Sequence, residues 1–318
     1  MNFNKLALIT FLCMLSIPFA QDGWEHKWWM PPKFNSVSAS SDSIAWYVGD
    51  NSMAIRITAE SYSRHCVVCD PWMDLTTVFT PRGGQGEICF IGTGEGHVLK
   101  FSYDGFNVDH VYTYEGDGGG FINGIYFWDE NEGIALGDPP LYDDPSQFLI
   151  LKTYDGGDTW DEITNGIPNV PLSWGYTGLW DSVEDHIWYP VFSSDSTINT
   201  MFLYSSDRGE NWETRSLPED YWSRHWLAFT FTNEQNGIIS DGNGLITTTT
   251  NGGETWDEPQ QNDQYLIHSM KCAKGTETIF AHNNNEIIRS DDFGETWYSQ
   301  GTPSNAYISY FDVLDENS

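Results

Sequence analysis

Short apolar runs, separated by Gly, Asn and Asp, recur along the whole chain. Three pairs of runs show the pattern best: Ile122–Phe127 with Gly133–Gly137, Trp226–Phe231 with Gly237–Ser240, and Ile267–Cys272 with Thr278–Ala281. Each run is brief and rich in β-branched and aromatic residues, which is typical of strands. No stretch sustains a helical period, so the pattern predicts an all-β protein.

An eight-residue polar motif aligns without gaps at four places, and in three of them a pair of apolar runs lies upstream of it. The copies are Thr153–Trp160, Ser205–Trp212, Thr249–Trp256 and Ser290–Trp297, with the pattern Ser/Thr-x-Asp-x-Gly-x-Thr/Asn-Trp and Asn251 at the Asp position of the third. A fifth copy, Ser102–Phe106, is degenerate and lacks the Trp. The acidic positions recur about every 45 residues, the length of one four-stranded blade.

The motif makes physical sense as a hairpin. Asp or Asn side chains bond their own backbone two residues on, and Gly supplies a positive φ. The Thr and Trp then start the next strand, with the indole covering the turn. We therefore expect these residues to be structural: Asp104, Asp155, Trp160, Asp207, Trp212, Asn251, Trp256, Asp292 and Trp297.

This motif closely resembles the Asp-box, or BNR, repeat of sialidases, sortilin-type receptors, xyloglucanases and photosystem II assembly-factor-like propellers. The stretches Phe121–Asp138 and Phe148–Trp160 look most like the last group. The resemblance implies a β-propeller. It does not imply an activity, because the same repeat serves enzymes and binding proteins.

Six blades can be traced, at about 34–72, 73–115, 116–167, 168–219, 220–261 and 262–302. Residues 24–29 resemble an outer strand and residues 307–314 an inner strand, which together would form half of a further blade. We therefore expect seven blades in one domain, residues 21–318. Either the ring closes by pairing the two chain ends, or the chain stops within the seventh blade.

The first twenty residues have the features of a secretory signal peptide. A short basic start with Lys5 precedes the apolar run Leu6–Pro18, and cleavage is expected near Ala20. No other segment approaches the roughly 20 apolar residues that a membrane span requires. We expect a secreted or periplasmic monomer without membrane insertion.

Charge and cysteines narrow the function classes. The chain carries 46 Asp+Glu against 14 Lys+Arg, for a net charge of -32. It lacks the clustered basic residues that a nucleic-acid-binding protein uses to contact phosphates.

The mature chain has four cysteines, which form either one or two disulfides or buried thiols: Cys66, Cys69, Cys89 and Cys272. The sequence does not show which of them would pair. We expect no metal cofactor, with calcium on the acidic loop Asp138–Asp144 as an alternative.

Propeller topology separates structural acids from candidate functional ones. Loops between strands two and three, and connections to the next blade, share the face opposite the boxes. Candidate catalytic residues on this open face are Asp50, Asp138 and Asp241. Candidate binding residues are Trp72, Asp117, Trp222, Arg224, His225 and His282.

Three interpretations compete for this face. It binds a peptide or glycan, it carries paired carboxylates of a glycosidase, or its acids only form solvated turns. A sialidase is disfavoured because its arginine cluster is missing. The sequence favours a non-catalytic secreted module that recognises a protein or glycan. The alternative is a carbohydrate-active enzyme, either a glycoside hydrolase or a polysaccharide lyase.

Overall fold

The computed structural model describes residues 33–41, 43–58, 61–66, 72–83, 86–115, 120–140, 148–195, 197–218, 227–283, 286–301 and 311–313. These residues form six antiparallel sheets. The predicted all-β propeller of four-stranded blades is confirmed.

Blades one to three are four-stranded sheets with the strands in chain order. Blade one has β1 (Phe34–Ser41), β2 (Ile44–Gly49), β3 (Met53–Thr58) and β4 (Tyr62–Cys66). Blade two has β5 (Leu75–Phe79), β6 (Ile88–Thr93), β7 (Val98–Ser102) and β8 (Asn107–Tyr112). Blade three has β9 (Ile122–Phe127), β10 (Gly133–Gly137), β11 (Ile150–Thr153) and β12 (Asp161–Glu162).

Blades four to six follow the same order, with one irregularity. Blade four has β13 (Ser173–Trp174), β14 (Asp181–Val183), β15 (His186–Ser193), β16 (Met201–Ser205) and β17 (Glu213–Ser216). Blade five has β18 (Ala228–Phe231), β19 (Gly237–Ser240), β20 (Leu245–Thr249) and β21 (Gln260–Gln261). Blade six has β22 (Ser269–Cys272), β23 (Ile279–His282), β24 (Ile287–Ser290) and β25 (Tyr298–Gly301).

Blade four departs from the pattern because its first strand is split. β13 and β14 both pair with β15, at its end and its start respectively, and residues 175–180 lie between them. This insertion contacts blade three, since the amide of Gly178 donates to the Asn123 carbonyl at 2.9 Å. The sequence pattern gave no warning of it.

The hydrophobic core lies between successive sheets. Trp46 of blade one meets Phe101 of blade two edge-on, with ring centroids 5.2 Å apart. Trp188 of blade four stacks on Phe231 of blade five at 3.8 Å. Buried aromatic area of this kind dominates the energetics of packed sheets. The apolar positions that alternate along each strand therefore face the neighbouring blade.

Residues 311–313 lie between the last and first sheets. Phe311 and Val313 pack in a buried cluster with Phe280 of blade six. On the other side, the Ala39 amide of blade one donates to Asp312 Oδ2 at 3.1 Å. The predicted outer strand at 24–29 and most of the predicted inner strand at 307–314 lie outside the described residues.

No helix in the described part of the chain is long and apolar enough to cross a bilayer. The predicted signal peptide, residues 1–20, lies outside the described residues.

Cys89 and Cys272 are buried free thiols, so the alternative that either of them forms a disulfide is wrong. The chain fills two apolar positions with them, and burial raises the pKa of the Cys272 thiol. The side chains of Cys66 and Cys69 lie outside the described residues.

Candidate functional site

The antiparallel topology gives the propeller two distinct ends. Turns between strands one and two, and between strands three and four, lie at one end, which we call the box end. Loops between strands two and three, and connections from strand four to the next blade, lie at the other, which we call the open end. This division follows from the strand order of every sheet.

The box of blade three connects β11 to β12. Asp155 Oδ1 accepts from the Thr159 amide at 3.0 Å and from Thr153 Oγ1 at 2.9 Å. Thr159 Oγ1 donates to Asp155 Oδ2 at 2.6 Å. Thr153 Oγ1 in turn accepts from the Gly157 amide at 2.9 Å. The carboxylate is saturated by its own turn, and its donors, Thr159 first, lower the pKa of Asp155 to about 2.

The same geometry recurs in the other three complete boxes. Asp207 Oδ1 accepts from the Asn211 amide at 2.8 Å, Asn251 Oδ1 from the Thr255 amide at 3.0 Å, and Asp292 Oδ1 from the Thr296 amide at 2.8 Å. Asn251 substitutes for Asp by donating its Nδ2 to Thr255 Oγ1 at 2.8 Å. Because the oxygens of such a carboxylate already accept hydrogen bonds from the turn, they are not available for a catalytic role.

The boxes also hold neighbouring blades together. The box glycine has a positive φ each time, and a Cβ on Gly157 would lie 2.3 Å from the ring of Phe90 in blade two. A Cβ on Gly209 would lie 2.5 Å from Ile134 Cδ1 of blade three. The residue before it also has a positive φ, even where it is Arg208. At the box position itself, glycine is therefore required both by the positive φ and by the close approach of the neighbouring blade.

The four box tryptophans differ in whether the indole N–H donates a hydrogen bond. Trp212 Nε1 donates to the Gly209 carbonyl at 2.9 Å and Trp297 Nε1 to the Gly294 carbonyl at 3.1 Å. The Nε1 atoms of Trp160 and Trp256 are buried without an acceptor. Trp160 gains edge-on packing on Phe127 instead, with centroids 5.6 Å apart.

The degenerate box of blade two shows what the motif contributes. Asp104 is exposed, and in the described structure its carboxylate accepts no hydrogen bond from the turn. Phe106, at a φ of 52°, is 60% exposed. The turn survives on backbone bonds, such as the Phe106 amide to the Tyr103 carbonyl at 3.3 Å.

Asp138 at the open end lies directly after β10 and is only 5% exposed. Its Oδ1 accepts from Asn123 Nδ2 and from the Gly175 amide, both at 2.7 Å, and from Tyr189 Oη at 3.4 Å. Tyr189 Oη accepts from Asn123 Nδ2 at 2.9 Å. Burial outweighs these donors and raises the pKa of Asp138 to about 7. The group joins blade three to the insertion and second strand of blade four.

The other two candidate acids have different partners, since Asp241 bonds its own turn and Asp50 bonds the start of β1. Asp241 Oδ1 accepts from the amides of Asn243 at 2.7 Å and Leu245 at 2.9 Å. Asp50 Oδ1 accepts from Asn35 Nδ2 at 2.9 Å, and its amide donates to the Lys33 carbonyl at 3.0 Å. Asp138 and Asp241 are therefore buried parts of the structure and not the solvated turn acids of the third interpretation.

The candidate binding residues differ in their exposure to solvent. Trp72 is 86% exposed in the connection between blades one and two. His282, the last residue of β23, is 3% exposed, and its burial, together with the charge of His268, lowers the pKa of its imidazole to about 4. Asp117, Trp222, Arg224 and His225 lie outside the described residues.

The hydrogen-bonded partners of Asp138 were missed by sequence analysis. Asn123, Tyr189 and Gly175 come from three separate strands or loops, and no local motif marks them. Gly175 is needed because a Cβ there would lie 2.1 Å from Tyr189 Oη. Only the packing of blade three against blade four reveals this set.

A second inter-blade contact, at the box end, was also missed. Lys274 Nζ in blade six donates to Asp181 Oδ1 of blade four at 2.6 Å and to the Phe231 carbonyl of blade five at 3.0 Å. Asp181 Oδ2 accepts from the Phe231 amide at 2.8 Å. One lysine thereby ties three blades through the ends of their inner strands.

Metal-ligating side chains do not converge in the described structure. Across its residues there is no group of three or more His, Cys, Asp or Glu side chains placed to hold an ion. Most of the acidic loop Asp138–Asp144, considered for calcium, lies outside those residues, since positions 141–144 are not described.

No protein-family model and no curated protein matches the chain. Among solved structures, it is similar to YCF48 bound to D1 peptide, at 12% identity and a TM-score of 0.63, over 94% of this chain and 85% of that one. It is similar to YCF48 from Cyanidioschyzon merolae at 14% identity and a TM-score of 0.59, over 87% of each chain.

An enzyme shares the same architecture. The GH74 enzyme of Niastella koreensis aligns at 11% identity with a TM-score of 0.57, over 83% of this chain and 46% of that chain. This chain thus spans less than half of the enzyme. At these identities the comparisons establish the fold. The resemblance to photosystem II assembly-factor-like propellers, which the Asp boxes indicated, is confirmed at that level.

Proposed function

We propose that the protein is a secreted, monomeric, non-catalytic propeller that recognises a protein or glycan at its open end, without a metal cofactor. The observation that carries this proposal is the state of the three candidate catalytic acids. Asp241 is bound within its own turn, Asp50 accepts from Asn35 of β1, and Asp138 is held in the seam between blades three and four. No two of them share a hydrogen bond in the described structure.

A binding role is also in keeping with the comparisons. YCF48 is a propeller with a structure bound to a peptide. The open end of this chain offers exposed apolar side chains in the connections between blades, among them Trp72 and Leu266. An exposed aromatic side chain such as Trp72 is a typical anchor of a binding surface.

A carbohydrate-active enzyme is the second candidate, and one observation favours it. A buried open-end carboxyl with a pKa raised to about 7, as in Asp138, has the property that a general acid requires at neutral pH. Glycoside hydrolysis needs a second carboxylate across the reacting bond. Burial alone raises the pKa of Asp138, and no described carboxylate contributes to the rise.

The test is a screen of glycans, polysaccharides and peptides that records both binding and release of reducing ends. We expect binding without release. Asp138→Asn and Asp241→Asn are compared with Asp292→Asn, a box-end control that changes the same chemical group. Release that is lost in either open-end variant and kept in Asp292→Asn would establish the enzyme and refute the binding proposal.

We also propose that the ring has a seventh blade to which residues 311–313 belong. Its support is that Phe311 and Val313 pack on blade six while Asp312 bonds blade one. Direct contact between blades one and six would leave no room for this segment. Asp312→Ala removes the acceptor of the Ala39 amide and of Arg82, and we expect a lower midpoint of urea unfolding. An unchanged midpoint would argue against this closure.

A further inference from the structure

The peptide bond between Asp138 and Pro139 lies at the open end, where β10 leads into the connection to β11. An aspartyl–prolyl bond can be broken from within the chain, because the side-chain carboxyl reaches its own main-chain carbonyl carbon and closes a five-membered ring. Proline contributes a tertiary amide nitrogen, and the secondary amine that it becomes on release is basic and leaves readily. Among the three Asp-Pro pairs of the sequence, this is the one whose two residues are described.

The fold holds this bond and the carboxyl in place. The amide of Gly137 donates to the Leu149 carbonyl at 2.8 Å, and the amide of Asp138 donates to the Phe121 carbonyl at 2.9 Å. The Asp138 side chain is 5% exposed, and Pro139 is buried. The main chain before the bond is therefore fixed by strands on both sides, and bulk water is kept away from the carboxyl.

The hydrogen bonds of the carboxyl determine which oxygen carries its proton. Oδ1 accepts from Asn123 Nδ2 and from the Gly175 amide, both at 2.7 Å, and neither of these groups can accept a proton in return. In the acid form the proton is therefore on Oδ2. Tyr189 is the titratable group that contacts the carboxyl among the described residues. It stays neutral, because burial raises the pKa of its hydroxyl well above the usual value.

Burial keeps that proton in place at mild pH. With a pKa raised to about 7, the Asp138 carboxyl is protonated in about nine of ten molecules at pH 6. An aspartate with the ordinary pKa of 3.8 is protonated in fewer than about 1% of molecules at that pH. Because the leaving nitrogen must take up a proton, the fold makes the reactive form the prevailing one under conditions in which an exposed Asp-Pro bond is mostly ionised.

We propose that the chain cleaves its own backbone between Asp138 and Pro139, so that this bond is an autocatalytic processing site. Oδ2 bonds to the main-chain carbonyl carbon of Asp138, and its proton passes to the Pro139 nitrogen, which leaves with the electron pair of the broken C–N bond. The product is a cyclic anhydride in which Oδ1 still accepts from Asn123 and Gly175. One water molecule then opens the anhydride, which leaves Asp138 as a new C-terminus and Pro139 as a new N-terminus.

The cleaved ring stays assembled. β10 and β11 lie on different fragments, but they remain paired across the break, from Gly133 with Thr153 to Leu136 with Ile150. Cleavage gives the connection between these two strands a free end and removes no blade. It is a single event on the protein's own chain and needs no ligand, so the inference goes beyond the binding role proposed above.

The first test follows the full mature chain by intact-mass spectrometry and size-exclusion chromatography during incubation at pH 6 and at pH 8. We expect two fragments, one ending at Asp138 and one beginning at Pro139, that elute together until denaturant is added. Cleavage should be about tenfold slower at pH 8, because the protonated fraction falls from about nine in ten to about one in ten. A chain that stays intact, or a rate that is the same at both pH values, overturns the inference.

The second test separates the effect of the fold from the general chemistry of Asp-Pro bonds. Asp70–Pro71 and Asp144–Pro145 lie outside the described residues and serve as internal standards, since their fragments differ in mass. At pH 6 the folded chain should be cut after Asp138 at least about tenfold faster than after either standard, and unfolding in urea should remove this advantage. Equal rates at the three bonds in the folded chain, or an unchanged rate after Asp138 in urea, refute the role of the fold.

The third test identifies the reacting groups. Pro139→Ala keeps the carboxyl and changes only the leaving nitrogen, and Asp138→Asn removes the acid; we expect each to be cleaved at least about tenfold more slowly. Asp292→Asn makes the same chemical change at the box end and should be cleaved at the unmodified rate. A contaminating protease would cut all three variants alike, which would overturn the inference.

The two proposals fail in different ways. Pro139→Ala should bind in the glycan and peptide screen like the unmodified protein, because cleavage needs no ligand. Binding without any cleavage refutes the processing site and leaves the binding role standing, whereas cleavage without any binding does the reverse. Urea unfolding of each variant verifies that its fold is intact.

Discussion

Asp155 at the box end and Asp138 at the open end are the same residue type in opposite states. Asp155 is exposed, and hydrogen bonds from its own turn lower its pKa to about 2. Asp138 also accepts three hydrogen bonds, yet burial between two blades raises its pKa to about 7. The difference shows that desolvation can outweigh a full set of donors. It also shows that the acid marked by a motif need not be the chemically unusual one.

The pH dependence of stability is the largest expected effect. The folded pKa of Asp138 lies above its unfolded value near 3.8, so this carboxyl stabilises the fold fully below pH 4. That contribution is lost as the pH rises through about 7, and it amounts to at most about 4 kcal/mol. We measure the free energy of unfolding in urea for the unmodified protein and for Asp138→Asn between pH 4 and 8. As the pH rises, the value for the unmodified protein should fall relative to that of the variant.

Asp155→Asn is the matched comparison for that experiment. Because the folded pKa of Asp155 is lowered, its contribution is present above pH 4 and is lost as the pH falls towards 2. Between pH 4 and 8 the profile of this variant should run parallel to that of the unmodified protein. Parallel profiles for Asp138→Asn as well would show that Asp138 is ionised in the fold and would remove the contrast.

The next effect tests the box as an inter-blade contact. Gly157→Ala places a methyl group against Phe90 at a positive φ, and we expect a loss of about 3 kcal/mol in the free energy of unfolding. Gly105→Ala in the degenerate box has a similar φ but no heavy atom within 4 Å of the added Cβ, so it should cost only about 1 kcal/mol. If the two variants lose the same free energy of unfolding, the box glycine is needed only for its backbone conformation and not for the contact between blades.

A smaller effect tests the hydrogen bonds of the box. Asp155→Ala removes the acceptor of the Thr159 amide and hydroxyl and should cost about 1 to 2 kcal/mol. Asp104→Ala should change the free energy of unfolding by less than about 0.5 kcal/mol, because that carboxylate bonds nothing in its turn. Thermal unfolding of the two variants side by side measures the difference, and a costly Asp104→Ala would contradict it.

The smallest expected effect on stability belongs to the open end. Trp72→Ala should alter the free energy of unfolding by less than about 0.5 kcal/mol, since the side chain is 86% exposed. The same variant should weaken ligand binding in the screen, whereas Trp212→Ala should mainly destabilise the fold. Strong destabilisation by Trp72→Ala would assign this residue to the core.

Much of the architecture could be predicted because it is encoded locally. The box of blade three lies within residues 153–160, so spacing and turn chemistry were sufficient to place β11 and β12. Runs such as Gly133–Gly137 were correct to the residue, whereas the run at 267–272 begins two residues before β22. The split first strand of blade four could not be predicted, because β13 and β14 are defined only by their shared partner β15.

The candidate site was predictable in position but not in character. Sequence topology identified Asp50, Asp138 and Asp241 as following second strands, and they do. Asp241 closes its own hairpin, whereas Asp138 bonds Gly175 and Tyr189 of blade four, and no spacing in the sequence reveals that difference.

By itself the sequence determined the blades, the box turns and the overall negative charge, because strand propensity, turn chemistry and composition are properties of short segments. Only the tertiary structure decided which acids are buried and which blades the lysines join. Burial and pairing are set by neighbours distant in sequence. The raised pKa of Asp138 is therefore a property of the assembled ring and not of any single repeat.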